Sequence, residues 1–499
     1  MRLSELLSAL PCVRVSGGTF CDVEITSVVS DSRSAGPGTL FVALRGREAD
    51  GHAFVPEAVA RGCAAVALET APDTFLPIPV CLVPDTREAE ALLQSRFFGD
   101  PASSMRIFAV TGTNGKTTTT AVLWSILRAA GRKTATVGTL GLGGDSYGEL
   151  PAGGSSVSGK AAAMTTPDPA ILYRLLASFR DDGVSDVVLE ASSHALSQRK
   201  LAAVRPDFAL FTNLSPEHLD FHGTMDAYLA AKAILFEKAR RAVVSTASPY
   251  AETLLSRIAC PAVTCGFSPA ADYAASDLAE RPDGSRFRLT SPRGAFEIGT
   301  DLPGRFMAEN VLLAAAAALE AGVTPADTVR GIAACRAVPG RMETVTDGVA
   351  RSYTVMIDYA HTPEALRALL SSVRRFTRGR LLVLFGCGGD RDKTKRSVMG
   401  AVAGELADYT VMTLDNCRTE SPEAILSDIL SGFSPDTPHE VISDRARAIR
   451  RAVSLCEDGD VLVLAGKGHE KYEIDKTGKH EFDERAVALA AMRSRDGRR

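Results

Sequence analysis

The stretch VTGTNGKTTT (Val110–Thr119) holds the densest set of groups able to do chemistry. Gly112 and Gly115 let backbone N–H groups approach a ligand closely. Lys116 supplies a point charge, and the Thr117 hydroxyl can ligate Mg²⁺. Thr113, Asn114 and Thr118 complete the turn. Such a set cradles the phosphates of a nucleotide, so ATP and Mg²⁺ are the expected ligands. The spacing G-x-x-G-K-T is two residues shorter than the generic phosphate loop. A glycine turn with a solvent-facing lysine is the plainer alternative. The apolar run RIFAV directly before and the periodic apolar segment from Ala121 directly after (Val122, Leu123, Ile126, Leu127) favour the strand–cradle–helix reading.

Three further constellations stand out. Glu190 closes the apolar run DVVLE and precedes Ser192, Ser193 and His194. A carboxylate there can complete the oxygen shell of Mg²⁺ begun by Thr117, while capping of the next helix is the alternative. The segment TNLSPEHLDFHGTMDAYLAAK gathers Glu217, His218, Asp220 and His222 ahead of Lys232, which otherwise reads as a solvated lysine on a polar helix. In the last third, Gly386, Gly388 and Gly389 in FGCGGDRDKTKR do not make G-x-G-x-x-G. That loop reads instead as an anion-receiving turn rich in Arg391, Lys393, Lys395 and Arg396. DNCRTE (Asp415–Glu420) and GKGHEKYE (Gly466–Glu473) add a guanidinium fork and several carboxylates. A carboxylate receptor and an ammonium receptor together suit a zwitterionic amino acid.

The elements that must position these groups alternate β then α. Short strand-like runs (VEITSVVSD, LFVAL, AAVALE, VCLVP) and the helical FVPEAVARG fill the first hundred residues. FAVTG, DVVLEA, FALFTNL and AVVST follow, then TVMIDYA, LLVLFGCGG, YTVMTLDN and DVLVLAGKG. This rhythm predicts parallel sheets covered by helices, with ligands beyond the carboxyl ends of the strands. Two such edges facing each other would make a cleft between domains. Breaks near residue 105 and near Pro339-Gly340 divide the chain into residues 1–105, 106–338 and 339–499. Gly141 to Lys160, rich in Gly and Ser, reads as a mobile loop.

Composition sets outer limits. At 499 residues the chain divides into about three domains. It is 45% hydrophobic and 23% charged with net charge −4, so no global field favours nucleic acid or an anionic membrane. No apolar stretch of about 18 residues predicts a membrane span. Ten cysteines without C-x-x-C pairs point to reduced, buried thiols in the cytoplasm. MRLSELLSALPC reads as an amphipathic first helix rather than a signal peptide, and Arg493, Arg495, Arg498 and Arg499 as a frayed, solvated tail.

In order, these segments closely resemble the Mur ligases of peptidoglycan synthesis. The resemblance runs through SDSR (Ser30–Arg33), GREADGH (Gly46–His52), TGTNGKTT, TTPD (Thr165–Asp168), EASSH and EHLDFHGTMDAYLAAK. It continues through GRME (Gly340–Glu343), DYAHTP (Asp358–Pro363), GCGGDRDK, DNCR and GKGHE. It implies three α/β domains: an N-terminal uridine-binding domain, a central P-loop ATPase-like parallel sheet and a C-terminal Rossmann-like domain. The implied reaction is ATP-driven amide formation through an acyl phosphate, adding the third stem-peptide residue to a UDP-muramoyl dipeptide.

By the same resemblance Gly112 to Thr118, Asn310, Arg341 and Asp358, with His361 nearby, hold ATP. Lys116 belongs to the catalytic set, and Thr117, Glu190 and His218 form the Mg²⁺ environment. Lys232 is the lysine that takes up CO₂ to become a carbamate beside a second Mg²⁺. Ser30, Ser32, Arg47, Glu48, Ala49, Thr165, Thr166, Ser192, Gln198 and Lys200 contact the UDP-muramoyl dipeptide. Arg391, Asp415, Asn416, Cys417, Arg418, Gly466 and Glu470 contact the amino acid. Cys417 replaces the proline common in this loop, and Arg418, kept, can pair with the distal carboxylate that diaminopimelate has and lysine lacks.

Diaminopimelate is therefore the expected acceptor, with L-lysine the alternative, in a cytoplasmic monomer acting on small molecules. A folylpolyglutamate synthase resembles only the later two domains. An ATP-driven switch leaves the amino-acid receptors without a purpose, and a nicotinamide dehydrogenase lacks its fingerprint.

Overall fold

The computed structural model describes residues 1–16, 22–46, 49–143 and 164–496. Arg47, Glu48, Cys21 and most of the Gly141–Lys160 segment lie outside them; Gly141–Gly143 forms a short strand.

Three large sheets follow one another along the chain, as the β-then-α rhythm predicts, and a two-stranded antiparallel ribbon, Tyr472–Asp475 with Gly478–Glu481, comes after the last. The first has five strands in the order Arg14–Ser16, Val80–Leu82, Ala65–Leu68, Thr39–Val42, Ser27–Val29, parallel apart from the first. Its inner strands Thr39–Val42 and Ala65–Leu68 are buried throughout, with only Thr39 polar, because helices cover both faces.

The second sheet has ten strands. At its centre Arg106–Thr111 lies between Phe208–Phe211 and Asp186–Glu190, all parallel. The chain goes from this strand to Thr134–Gly138 on one side and returns through Asp186–Glu190 to Phe208–Phe211 on the other, a reversal of the kind at which open α/β sheets bind ligands. Register sets Thr111 against Phe211 and Val110 against Glu190, so the glycine loop, Thr212 and Glu190 emerge side by side. An antiparallel meander, Tyr273–Arg281, Gly284–Ser291 and Gly294–Thr300, extends one edge. The helix Lys116–Ala129 packs on Arg305–Glu320 and Pro325–Ala334, burying Val122, Leu123, Ile126 and Leu127 against Val311, Leu312 and Ile332.

The third sheet runs Glu343–Thr344, Thr354–Asp358, Val461–Ala465, Leu381–Phe385, Tyr409–Met412, His439–Val441, parallel apart from the first. Asp358, Gly386, Asp415 and Gly466 therefore leave the sheet at one edge.

Two expectations need correcting. Arg493 and Arg495 are not a frayed tail. They belong to the closing helix Glu484–Asp496, where Arg493 pairs with Asp347 at 2.9 Å and Arg495 covers the Tyr353 ring. The described cysteines form no disulfide, but not all are buried: Cys12 is exposed and Cys260 and Cys417 are half-buried. Among the described residues no helix is long and apolar enough to cross a membrane.

Candidate active site

The glycine loop is shaped by the end of the neighbouring strand. Gly115, at φ +85°, starts the helix Lys116–Ala129, and a Cβ there would fall on the Asn310 amide. Gly112, at φ +149°, lies against the Thr212 hydroxyl. Only glycine suits either position. Thr212 Oγ1 donates to the Asn114 carbonyl (2.6 Å), the Asn114 N–H donates to Asn213 Oδ1 (3.0 Å), and the Thr113 N–H to the Asn213 carbonyl (2.9 Å). Lys116 is half-buried and turned back onto the loop: Nζ donates to the carbonyls of Gly112 (2.9 Å) and Thr113 (2.8 Å), and burial lowers its pKa.

Glu190 is buried at its strand end and collects three donors. Oε2 accepts from Thr117 Oγ1 and Thr139 Oγ1, both at 3.0 Å, and Oε1 accepts from the Thr139 N–H at 2.9 Å. It caps nothing, since Ser192 caps the helix Ser193–Ser197. Thr165 Oγ1 lies 3.2 Å from Thr139 Oγ1, and Thr166 Oγ1 donates to the Glu190 carbonyl at 2.7 Å. These hydroxyls and the carboxylate are hard oxygen donors of the kind Mg²⁺ takes. Among the described residues no group of three or more His, Cys, Asp or Glu could hold a metal ion by itself. Mg²⁺ needs no such cage, because it binds through one or two carboxylates plus substrate phosphates.

Lys232 is no solvated lysine. In the helix Met225–Ala233 it is 1% exposed, with Nζ 4.4 Å from the Tyr228 ring centre. Burial first, and then the charge of Lys116, push its pKa well below the usual lysine range, against the pull of Glu217. Tyr228 Oη in turn lies 3.2 Å from Thr113 Oγ1, which joins this lysine to the glycine loop. His218 takes a left-handed backbone (φ +56°), and its ring packs edge-on against His194. Burial holds His222 down to about 4, so its ring, 3.0 Å from Ser193 Oγ, is neutral at pH 7.

The expected cleft between two strand-end edges is present. It measures about 780 Å³ and is lined by the glycine loop, Glu190, His218 and Asn310, and from the third sheet by Arg341, Tyr359, His361 and Glu470. Arg341 crosses it to donate to Thr117 Oγ1 at 3.4 Å while covering the Tyr359 ring. Asp358 acts through the backbone: its carboxylate accepts from the N–H groups of Met342 and Ala360, both at 2.8 Å, and so places Arg341.

In the third sheet Asp415 Oδ1 meets buried Lys467 at 3.2 Å, and Asn416 Nδ2 donates to Glu470 Oε2 at 2.9 Å. Arg418 Nη1 donates to the carbonyls of Gly389 (2.8 Å) and Asn416 (3.3 Å).

Residues 24–91, 110–318 and 340–468 match the families described as Mur ligase family, catalytic domain, Mur ligase middle domain, and Mur ligase, glutamate ligase domain. The UDP-N-acetylmuramoyl-L-alanyl-D-glutamate--2,6-diaminopimelate ligase of Geobacillus thermodenitrificans is 40% identical over 507 residues, which cover 99% of this chain and 100% of that protein. The chain belongs to the Mur ligase family. A solved structure of a UDP-N-acetylmuramoyl-L-alanyl-D-glutamate--2,6-diaminopimelate ligase matches this Mur ligase with a TM-score of 0.70 at 30% identity, covering 99% of this chain and 100% of that one. The MurF ligase of Thermotoga maritima, solved in complex with ADP, shares the fold at 17% identity, with a TM-score of 0.60 over 95% of this chain and 98% of its own.

The Mur ligase thus gathers its glycine loop, Thr117, Glu190, His218, Asn310 and Arg341 in one cleft, with Thr165 at the rim. Other expected residues stand apart. Ser32 donates to Glu57 at 2.8 Å, exposed Ser30 bonds the Glu90 carboxylate, and Lys200 pairs with Asp168 at 2.6 Å. Thr166 and Ser192 bond each other behind Glu190, and Gln198 ends the helix after it. Of the amino-acid set, Glu470 lines the cleft, whereas Arg391 is exposed and contacts the Asp390 carbonyl.

The anion-receiving turn needs correcting: fully buried Arg396 is held by Glu420 (2.7 Å) and Asp428 (2.8 Å), Lys393 pairs with Glu420, and Lys395 donates to the His361 carbonyl. Sequence reasoning missed Thr139, Tyr228, Tyr359 and Lys467. Thr139 comes directly after the strand Thr134–Gly138 and Lys467 two residues after Val461–Ala465, and those strand-end positions are the signal that could have flagged them.

Proposed function

We propose that this ligase uses ATP to join meso-diaminopimelate to UDP-N-acetylmuramoyl-L-alanyl-D-glutamate in making a peptidoglycan precursor. The observation that carries it is the 40% identity, over essentially the whole of both chains, to a ligase named for that reaction. In the first half-reaction the bond from the γ-phosphorus to ADP breaks and a bond to the glutamyl γ-carboxylate oxygen forms. In the second the incoming amine attacks the carbonyl carbon, loses a proton, and phosphate departs. A carboxylate is a poor electrophile, and phosphorylation supplies its leaving group. Phosphoryl transfer asks the protein mainly for positioning and charge neutralisation.

The N–H groups and dipole at Gly112–Thr118 would hold the phosphates, with Lys116 turning from the loop carbonyls toward them. Arg341 and Asn310 reach the same cleft from two other elements. Thr117, Glu190 and His218 would hold Mg²⁺, which when bound neutralises phosphate charge. The neutral amine of Lys232 is the form that would add CO₂: an N–C bond forms, a proton leaves, and a carbamate anion takes the place of a neutral amine.

Ser30, Ser32, Thr165, Thr166, Ser192, Gln198 and Lys200 would serve the UDP-muramoyl dipeptide. Arg391, Asp415 to Arg418, Gly466 and Glu470 would serve the amino acid. Domains at residues 1–105, 106–338 and 339–499 are part of this reading, supported by the three large sheets lying one within each range, and the enzyme would act as a cytoplasmic monomer.

The test is amino-acid-dependent phosphate release from ATP with the UDP-muramoyl dipeptide and Mg²⁺. Release with meso-diaminopimelate and not with L-lysine is expected. Release with lysine alone overturns the acceptor, and release with neither overturns the reaction.

A further inference from the structure

Lys467 lies two residues past the third-sheet strand Val461–Ala465 and is 0% exposed, a costly place for an ammonium unless it is fully paired. Nζ lies 3.2 Å from both Asp415 Oδ1 and Asn416 Oδ1, and 4.0 Å from Glu470 Oε2. Asn416 Oδ1 also accepts from the Ile474 N–H at 3.0 Å. With its oxygen turned toward these two donors, the amide has only Nδ2 left for Glu470, which it reaches at 2.9 Å. Asp415 keeps Oδ2 without a protein hydrogen bond among the described residues. Gly466, at φ +109°, sits beside that oxygen, and a Cβ there would come only to van der Waals contact with it at 3.7 Å. Burial works against ionisation of Asp415, and Lys467, with Arg445 behind it, outweighs burial and keeps the carboxylate charged.

The frame behind Lys467 is equally definite. Arg445 is 2% exposed and donates to the carbonyls of Leu414 (3.3 Å) and Ala465 (3.0 Å), the residues just before Asp415 and Gly466. Glu484 of the closing helix neutralises it at 2.7 Å. The two acceptor loops are thereby fixed at one separation.

We propose that Lys467 is a positioning residue for the amino-acid acceptor, holding Asp415 Oδ2 and the Glu470 carboxylate where they receive its ammonium group. This rests on the ligase reading above, and the wild-type enzyme tests that reading separately: if it turns over no amino acid, the reading falls whatever Lys467 does. Given wild-type turnover, Lys467→Met should raise KM for diaminopimelate by about tenfold or more. KM for ATP and for the UDP-muramoyl dipeptide should stay within about twofold, and Lys467→Arg should restore part of the loss. If all three KM values rise together, or if kcat falls with every KM unchanged, the assignment is overturned. Should Lys467→Met not fold, Lys467→Arg decides alone: a selective rise in the acceptor KM supports it, and wild-type constants overturn it.

Discussion

At the scale of single residues, burial decides which charged groups serve chemistry. Lys232 sits in a helix that reads from sequence as polar, yet its amine is enclosed and its pKa pushed far down. A neutral amine is a nucleophile, which an exposed lysine at neutral pH is not. Lys232→Ala should therefore reduce ligation by roughly a hundredfold or more. Acetate or formate, filling the space with a carboxylate, should restore part of it. An unimpaired variant would remove the carbamate role. The glycine loop was legible because its residue types have few other uses between a strand and a helix. Arg396 was misread for the opposite reason: a basic run in a loop looks like an anion receptor, and only Glu420 and Asp428, 24 and 32 residues further on, reveal a structural cation. Local sequence carries no sign of such a distant partner.

At the scale of elements, parallel pairing does most of the positioning. Val110 opposite Glu190 and Thr111 opposite Phe211 bring the glycine loop, Glu190 and Thr212 to one edge. The apolar strand runs announced these elements, since strands buried on both faces read as continuous Val, Ile and Leu. Helix packing was less legible. Gly331, inside Pro325–Ala334, has no visible purpose in the sequence, but a Cβ there would press on the backbone at Ile126 in the helix that begins at the glycine loop. Gly331→Val should cost about 1–3 kcal/mol or more. It should appear as a lower urea midpoint that saturating ATP partly restores. An unchanged midpoint would show that the two helices tolerate a wider spacing.

At the scale of the whole molecule, the cleft belongs to no single sheet. Its floor is the glycine loop and its far wall is Arg341, Tyr359, His361 and Glu470, more than two hundred residues later. Arg341 reaching Thr117 ties the two walls directly. Two strand-end edges facing each other could be foreseen from the β-then-α rhythm. Which side chains would meet there could not, because that depends on how the sheets are set against each other.

Transfer of the γ-phosphoryl group to a substrate carboxylate requires that one carboxylate oxygen leave with the phosphate. The most direct test is to label the glutamyl γ-carboxylate of the UDP-muramoyl dipeptide with ¹⁸O and analyse the phosphate released with ATP and meso-diaminopimelate. One ¹⁸O in each phosphate and a new nucleotide-linked tripeptide are expected. Unlabelled phosphate would mean that water, not the carboxylate, receives the phosphoryl group, and would contradict the acyl-phosphate route.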